Sequence, residues 1–209
     1  MYRKVIFMAE KRSTAWRVNE IVIASVIAVA CSLVFALWNL GVYPVTQTLL
    51  AATAPQLLPL IGGGWLIAGT LGAYLIRKPG AALYCELLAA LISVFIGPGS
   101  FGLPILISGL IQGAAAELVF AIFLYRAWNL PVMLLAGAVS GFAMGLNEVI
   151  IYYAGQFSAV NQVIYVASGA LSGLVIAGLL MWLLGRALEA TGVLDSLASG
   201  RSRRGSSAR

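Results

Sequence analysis

Three glutamates, Glu86, Glu117 and Glu148, stand inside apolar runs of a chain that has only seven acidic residues. An ionisable group at membrane depth costs at least ~2.5 kcal/mol to insert, so it is retained only where a partner, a water cavity or a proton relieves it. Carboxylates so placed can recognise a cation or a hydrogen-bond donor. Near the level of Glu148 fall Asn147, Gln112, Trp38, Trp65 and Tyr152, with Asn39 and Tyr165 close by. A carboxylate, amides and aromatic rings suit a flat, cationic ligand: rings stack and make cation–π contacts, while polar groups fix orientation. Trp and Tyr at the ends of spans also act as interfacial anchors, so the rings alone define no site.

Several other chemistries are excluded or disfavoured. Histidine is absent, which removes the commonest general base and metal ligand. Cys31 and Cys85 each lie in an apolar run with no CxxC spacing, which fits packed small hydrophobes rather than a disulfide or a metal site. There is no GxxxxGK[ST] loop for ATP and no HExxH helix, and the lysines fall at the edges of spans, away from any serine dyad. No enzyme, cofactor or metal site is expected.

The elements that must position these acids are membrane helices. The chain is 61% hydrophobic and 10% charged, with mean hydropathy +0.98, whereas soluble domains have about 25% charged residues. Cations cluster in the first 17 residues, at Arg77-Lys78, Arg126 and Arg186, and in the tail "GRSRRGSSAR". That pattern marks membrane orientation and anionic lipid, not nucleic acid. A span needs roughly 20 apolar residues. Six stretches qualify, at about 21–40, 60–76, 80–97, 103–125, 131–153 and 161–185, separated by Lys78-Pro79-Gly80, Gly97-Pro98-Gly99 and Asn129-Leu130-Pro131. The first is too long for a signal-peptide core and reads as a retained helix.

Residues 41–63 carry Pro44, Pro55 and Pro59 with several polar side chains. A seventh span there would put the two basic termini on opposite sides. Six spans put all 13 Lys and Arg on the cytoplasmic side, as the positive-inside rule favours. The expectation is therefore an all-α integral membrane protein with both termini inside and residues 41–59 as a long external loop or a helix lying over the bundle. A basic segment (1–19) precedes the membrane domain (20–187), and a disordered basic tail (188–209) follows it.

Helix rise sets the depths. Glu86 lies roughly 9 Å and Glu117 about 12 Å above the inner ends of their spans, and Glu148 on the order of 9 Å below the outer end of its own. Glu86 and Glu117 are thus expected to meet at one level, with Arg77 and Arg126 snorkelling toward them. Small residues recur every fourth position at Ala24, Ala28, Ser32 and Ala36 and at Gly169, Gly173 and Ala177. Such stripes let helices approach closely. The second is read as internal packing, and the first, on a terminal helix, as a docking face for another membrane protein.

The segments "GGGWLIAGTLGAYLIRKPGAALYCELLAAL" and "FGLPILISGLIQGAAAELVFAIFLYRAW" carry RKPGAA-x3-EL and QG-x3-ELVFA-x3-YR. They resemble the YkoE family, S components of energy-coupling-factor transporters for thiamine or its hydroxymethylpyrimidine precursor, over about residues 19–186. The resemblance implies a six-helix subunit in the prokaryotic plasma membrane. It would capture ligand from outside and work with a membrane T component and two ATPase subunits. It also implies that Glu86 and Glu117, inside the two motifs, are functional. Two positions depart from the family: Ser93, near which an acid is common, and Phe101, where Trp is common, so ligand preference is open to change. The alternatives are an S component for another small cationic or aromatic vitamin, and a structural membrane protein without transport.

Overall fold

The computed structural model describes residues 14–96, 104–153, 155–192, 197 and 199, and every regular element among them is helical. Helix α1 (Val18–Leu37) runs through a π-helical stretch (Trp38–Val42) into α2 (Tyr43–Leu50). A 3-10 segment (Pro55–Trp65) then leads into α3 (Ile67–Ile76). Next come α4 (Ala81–Ile96), α5 (Pro104–Ile122), α6 (Leu130–Tyr152) and α7 (Ala159–Ser172). The last crossing finishes through a second π-helical stretch (Gly173–Leu180) and α8 (Met181–Ala190). Five of the resulting rods are long and apolar enough to span a membrane, and α4, with 16 residues, is the shorter sixth.

The sharp turns follow local chemistry. Arg77 closes α3 in the left-handed conformation (φ 55°) and Gly80 continues the turn at φ 85°. Asn129 caps α6 by accepting from the N–H of Val132 at 3.2 Å, with proline in the first turn, where no N–H is needed. Ser158 caps α7 in the same way.

Residues 41–50 differ from the expected loop, because they prolong the first helix. Pro44 lacks an N–H and its ring presses on the carbonyl four residues earlier. The π-helical turn immediately before it widens the backbone at that point, so the rod bends around the proline instead of ending. The following segment, with Pro55, Pro59 and three consecutive glycines, folds back into the bundle as a 3-10 helix. Its Gly63 N–H donates to the Ser172 hydroxyl (2.9 Å), which itself donates to the Leu60 carbonyl (2.6 Å).

Packing is close where side chains are small. A Cβ on Gly173 would collide with the Gly137 carbonyl, and one on Gly141 with the Gly169 carbonyl, so α6 and the last crossing touch backbone to backbone. Ala24, Ala28 and Ser32 are 0% exposed and Ala36 is 6% exposed, on the side of α1 that meets α3 and α4. That stripe is consumed inside the chain. The docking face expected there is corrected to internal packing.

At the basic end the turn between α3 and α4 is gripped from both sides. Lys78 donates to the Ala15 carbonyl (2.8 Å) and lies 3.7 Å from Glu20, while the Trp16 indole donates to the Pro79 carbonyl (2.9 Å). Arg77 pairs with Glu189 of α8 at 2.9 Å rather than reaching toward Glu86 or Glu117. Residues 188–190 are helical, and Leu197 and Ser199 are buried, with the Ser199 hydroxyl on the Leu75 carbonyl. The tail is therefore ordered at these positions. Residues 1–13 and 200–209, and Phe101, lie outside the described residues.

Candidate functional site

Glu86 is 1% exposed on the inner face of α4. Its Oε2 accepts from the backbone N–H of Gly69 at 2.6 Å, in the first turn of α3, where backbone donors lack partners within the helix. Glycine leaves room for this approach: a Cβ at position 69 would lie 3.1 Å from Oε2, a tight contact. The second oxygen, Oε1, is buried without a hydrogen-bond partner. Leaving a buried polar atom unsatisfied costs about 1–3 kcal/mol, and more for a charged group, so it needs a donor from elsewhere.

That donor can come from a cavity of about 280 Å³, whose wall includes Glu86. Glu148 of α6 lies on the same wall, its Oε2 accepting from the Tyr165 hydroxyl at 2.7 Å. Gln112 and Ser108 of α5, Ser93 of α4 and Asn39 of the first π-helical stretch add polar atoms. The aromatic share of the wall is Phe35, Tyr43, Trp65, Tyr152, Tyr153 and Tyr165. These rings hold one another. Trp65 donates to the Asn39 carboxamide (2.9 Å) and meets Tyr43 edge-on at 5.5 Å, while Tyr153 lies 5.0 Å from Tyr165 and stacks on Phe157 at 4.5 Å. Among the described residues no lysine or arginine lines the cavity, so its fixed charges are carboxylates. The described residues also contain no group of three or more His, Cys, Asp or Glu side chains able to hold a metal ion.

Of the residues singled out from sequence, Glu86, Glu148, Gln112, Trp65 and Tyr152 share this wall. Three others stand apart from it. Trp38 packs over Gly64 and donates to the Ile61 carbonyl at 2.9 Å, bracing the 3-10 segment behind Trp65. Asn147 is buried and donates to the Ser108 hydroxyl at 3.2 Å, one layer behind the wall. Glu117 does not meet Glu86. It accepts from the N–H groups of Gly80 (2.6 Å), Ala82 (2.9 Å) and Leu83 (3.4 Å), capping α4 from the neighbouring helix. The Tyr125 hydroxyl, in the turn after α5, bonds the same carboxylate; burial, then this bond and the Glu117 charge, push its pKa up to about 12.

Tyr43, Tyr153, Ser108 and Phe35 were not singled out from sequence, yet they line the cavity. A signal for Tyr43 existed: Asn39 and Tyr43 are four residues apart and share a helix face, provided the helix is carried past Gly41.

A profile described as an ABC-type cobalt transport system permease component matches residues 19–143. The chain is 35% identical over 188 residues to the HMP/thiamine permease protein YkoE of Bacillus subtilis (strain 168), covering 90% of this chain and 92% of that one. A crystal structure of an S-component of an ECF transporter superposes with TM-score 0.84 at 33% identity, covering 93% of this chain and 96% of the other. A likeness this extensive in both sequence and fold, joined to a wholly helical membrane body around a ligand-sized cavity, settles the assignment. The chain belongs to the YkoE family of S components, the substrate-capture subunits of energy-coupling-factor transporters, and is a multi-pass protein of the prokaryotic plasma membrane.

Proposed function

We propose that the ligand is thiamine or its hydroxymethylpyrimidine precursor, captured from outside the cell in the cavity between Glu86 and Glu148. The observation that carries this reading is the buried, unpartnered Oε1 of Glu86 in a wall that otherwise offers rings and amides. An aminopyrimidine supplies the missing donor and a face for stacking, and the thiazolium of thiamine supplies a cation for an acidic, aromatic cavity. The volume, about 280 Å³, lies at the small end of ligand pockets, which run to about 300–1,000 Å³. A one- or two-ring molecule suits it. The name of the Bacillus relative points to the same ligands.

Orientation follows from charge. Arg17, Arg77, Lys78, Arg126 and Arg186 all fall at one end of the rods, which is the cytoplasmic end under the positive-inside rule. Glu148, four residues from the far end of α6, is then nearer the outside. With no nucleotide loop in the sequence, energy for uptake comes from outside this chain, from a membrane T component and two ATPase subunits. Thermal unfolding in detergent tests the ligand. Thiamine at 100 times its Kd adds about 2.7 kcal/mol of stability, and a melting temperature unmoved by thiamine and by hydroxymethylpyrimidine would remove both from the reading.

A further inference from the structure

The two cavity carboxylates sit in unlike surroundings. Glu86 is fully buried, with Gly69 and Gly113 against its side chain, and Ala90, Ser93, Gly109 and Gln112 line the same cavity. A Cβ on Gly109 would press on Ala90, and one on Gly113 on Glu86 itself, so α4 and α5 pack closely around this carboxylate. Glu148 is partly exposed and stands among rings: Tyr165 is bonded to it, Tyr153 lies against Tyr165, and Tyr152 is one turn further along α6. By helix rise, Glu86 lies about 15 Å from the end of α4 and Glu148 about 6 Å from the same-side end of α6. Glu86 is the deeper of the two.

We infer that these carboxylates divide the ligand between them: the free oxygen of Glu86 accepts from the exocyclic amine of an aminopyrimidine, and Glu148 with its tyrosines faces a fixed positive charge. This rests on the ligand class proposed above. The reason is desolvation. A quaternary ring nitrogen has no proton to lose, so its charge must be accommodated wherever it is placed. It is best placed where aromatic faces and a carboxylate compensate, which is the Glu148 level. A neutral amine costs less to bury, and at Glu86 it satisfies an acceptor that otherwise has no partner. Tyr165 is a positioning residue, since its hydroxyl fixes the Glu148 carboxylate. One consequence is a division of specificity: a pyrimidine without the cation uses only the deep carboxylate, whereas thiamine uses both.

The test is calorimetry on detergent-purified protein with thiamine, hydroxymethylpyrimidine and oxythiamine, in which a carbonyl replaces the amine. Glu148→Gln should weaken thiamine roughly ten- to a hundredfold and leave hydroxymethylpyrimidine within about threefold. Glu86→Gln keeps the Gly69 hydrogen bond through its carbonyl oxygen and puts an amide N–H where Oε1 was. Thiamine and hydroxymethylpyrimidine should both weaken, and the ratio of oxythiamine to thiamine affinity should rise at least about tenfold over wild type, because a donor now meets a carbonyl. Poor folding cannot produce that reversal of preference. Equal losses for both ligands in Glu148→Gln, or an unchanged oxythiamine ratio in Glu86→Gln, would overturn the division while leaving the ligand class intact. Wild-type protein that binds none of the three would instead sink the ligand class itself.

Discussion

Glu86 and Gly69 meet at 2.6 Å, carboxylate oxygen to backbone N–H, and this one bond fixes how the carboxylate faces the cavity. The contact depends on glycine. In Gly69→Ala the new Cβ would stand 3.1 Å from Oε2 and 3.3 Å from the Ala82 carbonyl, so the Glu86 side chain has to give by a few tenths of an ångström. Alanine also favours the helix by roughly 0.5–1 kcal/mol over glycine. Thiamine affinity should therefore fall severalfold while the ligand-free melting temperature stays level or rises. A variant that binds as well as wild type would show that the carboxylate's aim does not matter.

Glu117 should behave as a cap. It holds three backbone N–H groups of the α4 start and lies off the cavity wall. Replacing it with Gln removes the charge from those bonds and should cost about 1–2 kcal/mol of stability. Thiamine affinity, measured below the lowered melting temperature, should stay within about twofold. A large selective loss of affinity would return Glu117 to the ligand.

Arg77 and Glu189 form a pair whose side chains are only 8% and 6% exposed. Breaking a buried pair strands the remaining charge and costs about 3–5 kcal/mol. Glu189→Ala should therefore lower the melting temperature sharply, and Arg77→Met combined with Glu189→Leu should recover much of the loss. Additive losses in the double variant would mean that the two side chains do not act together.

Orientation is checked on intact cells with single cysteines in a background lacking Cys31 and Cys85, which are both buried. Thr48→Cys and Ser158→Cys should react with an impermeant maleimide from outside. Arg186→Cys should react only after the membrane is opened. Labelling at position 186 in sealed cells would invert the topology.

Much of this architecture is legible in the sequence. The apolar runs, their Pro, Gly and Asn breaks and the gathering of cations at one end follow from one-dimensional rules, because a bilayer demands satisfied backbone and fixed span lengths. The presence of three acids within the spans likewise called for relief of each charge. The reach of the first helix was less legible. Pro44 reads as a stop, and only the packed backbone shows the π-helical turn that carries the helix past it, bringing Asn39 and Tyr43 to the cavity.

What each acid does was decided by tertiary structure. Helix rise gives depth along the rod, but the direction a side chain faces depends on which neighbours the rod packs against. These helices are apolar on every side: Val22, Leu33, Leu118 and Ile122 are exposed, while Ala24, Cys31, Val119 and Phe120 beside them are buried. Without an amphipathic stripe the sequence cannot say which face turns inward. Glu86 and Glu148 turn toward one cavity, whereas Glu117, expected at the level of Glu86, turns to the N–H groups at the start of α4. The small-residue stripe of α1 obeys the same logic: it marks a close helix contact, and the neighbour it meets, here α3 and α4 of the same chain, is set by the packing of the whole bundle.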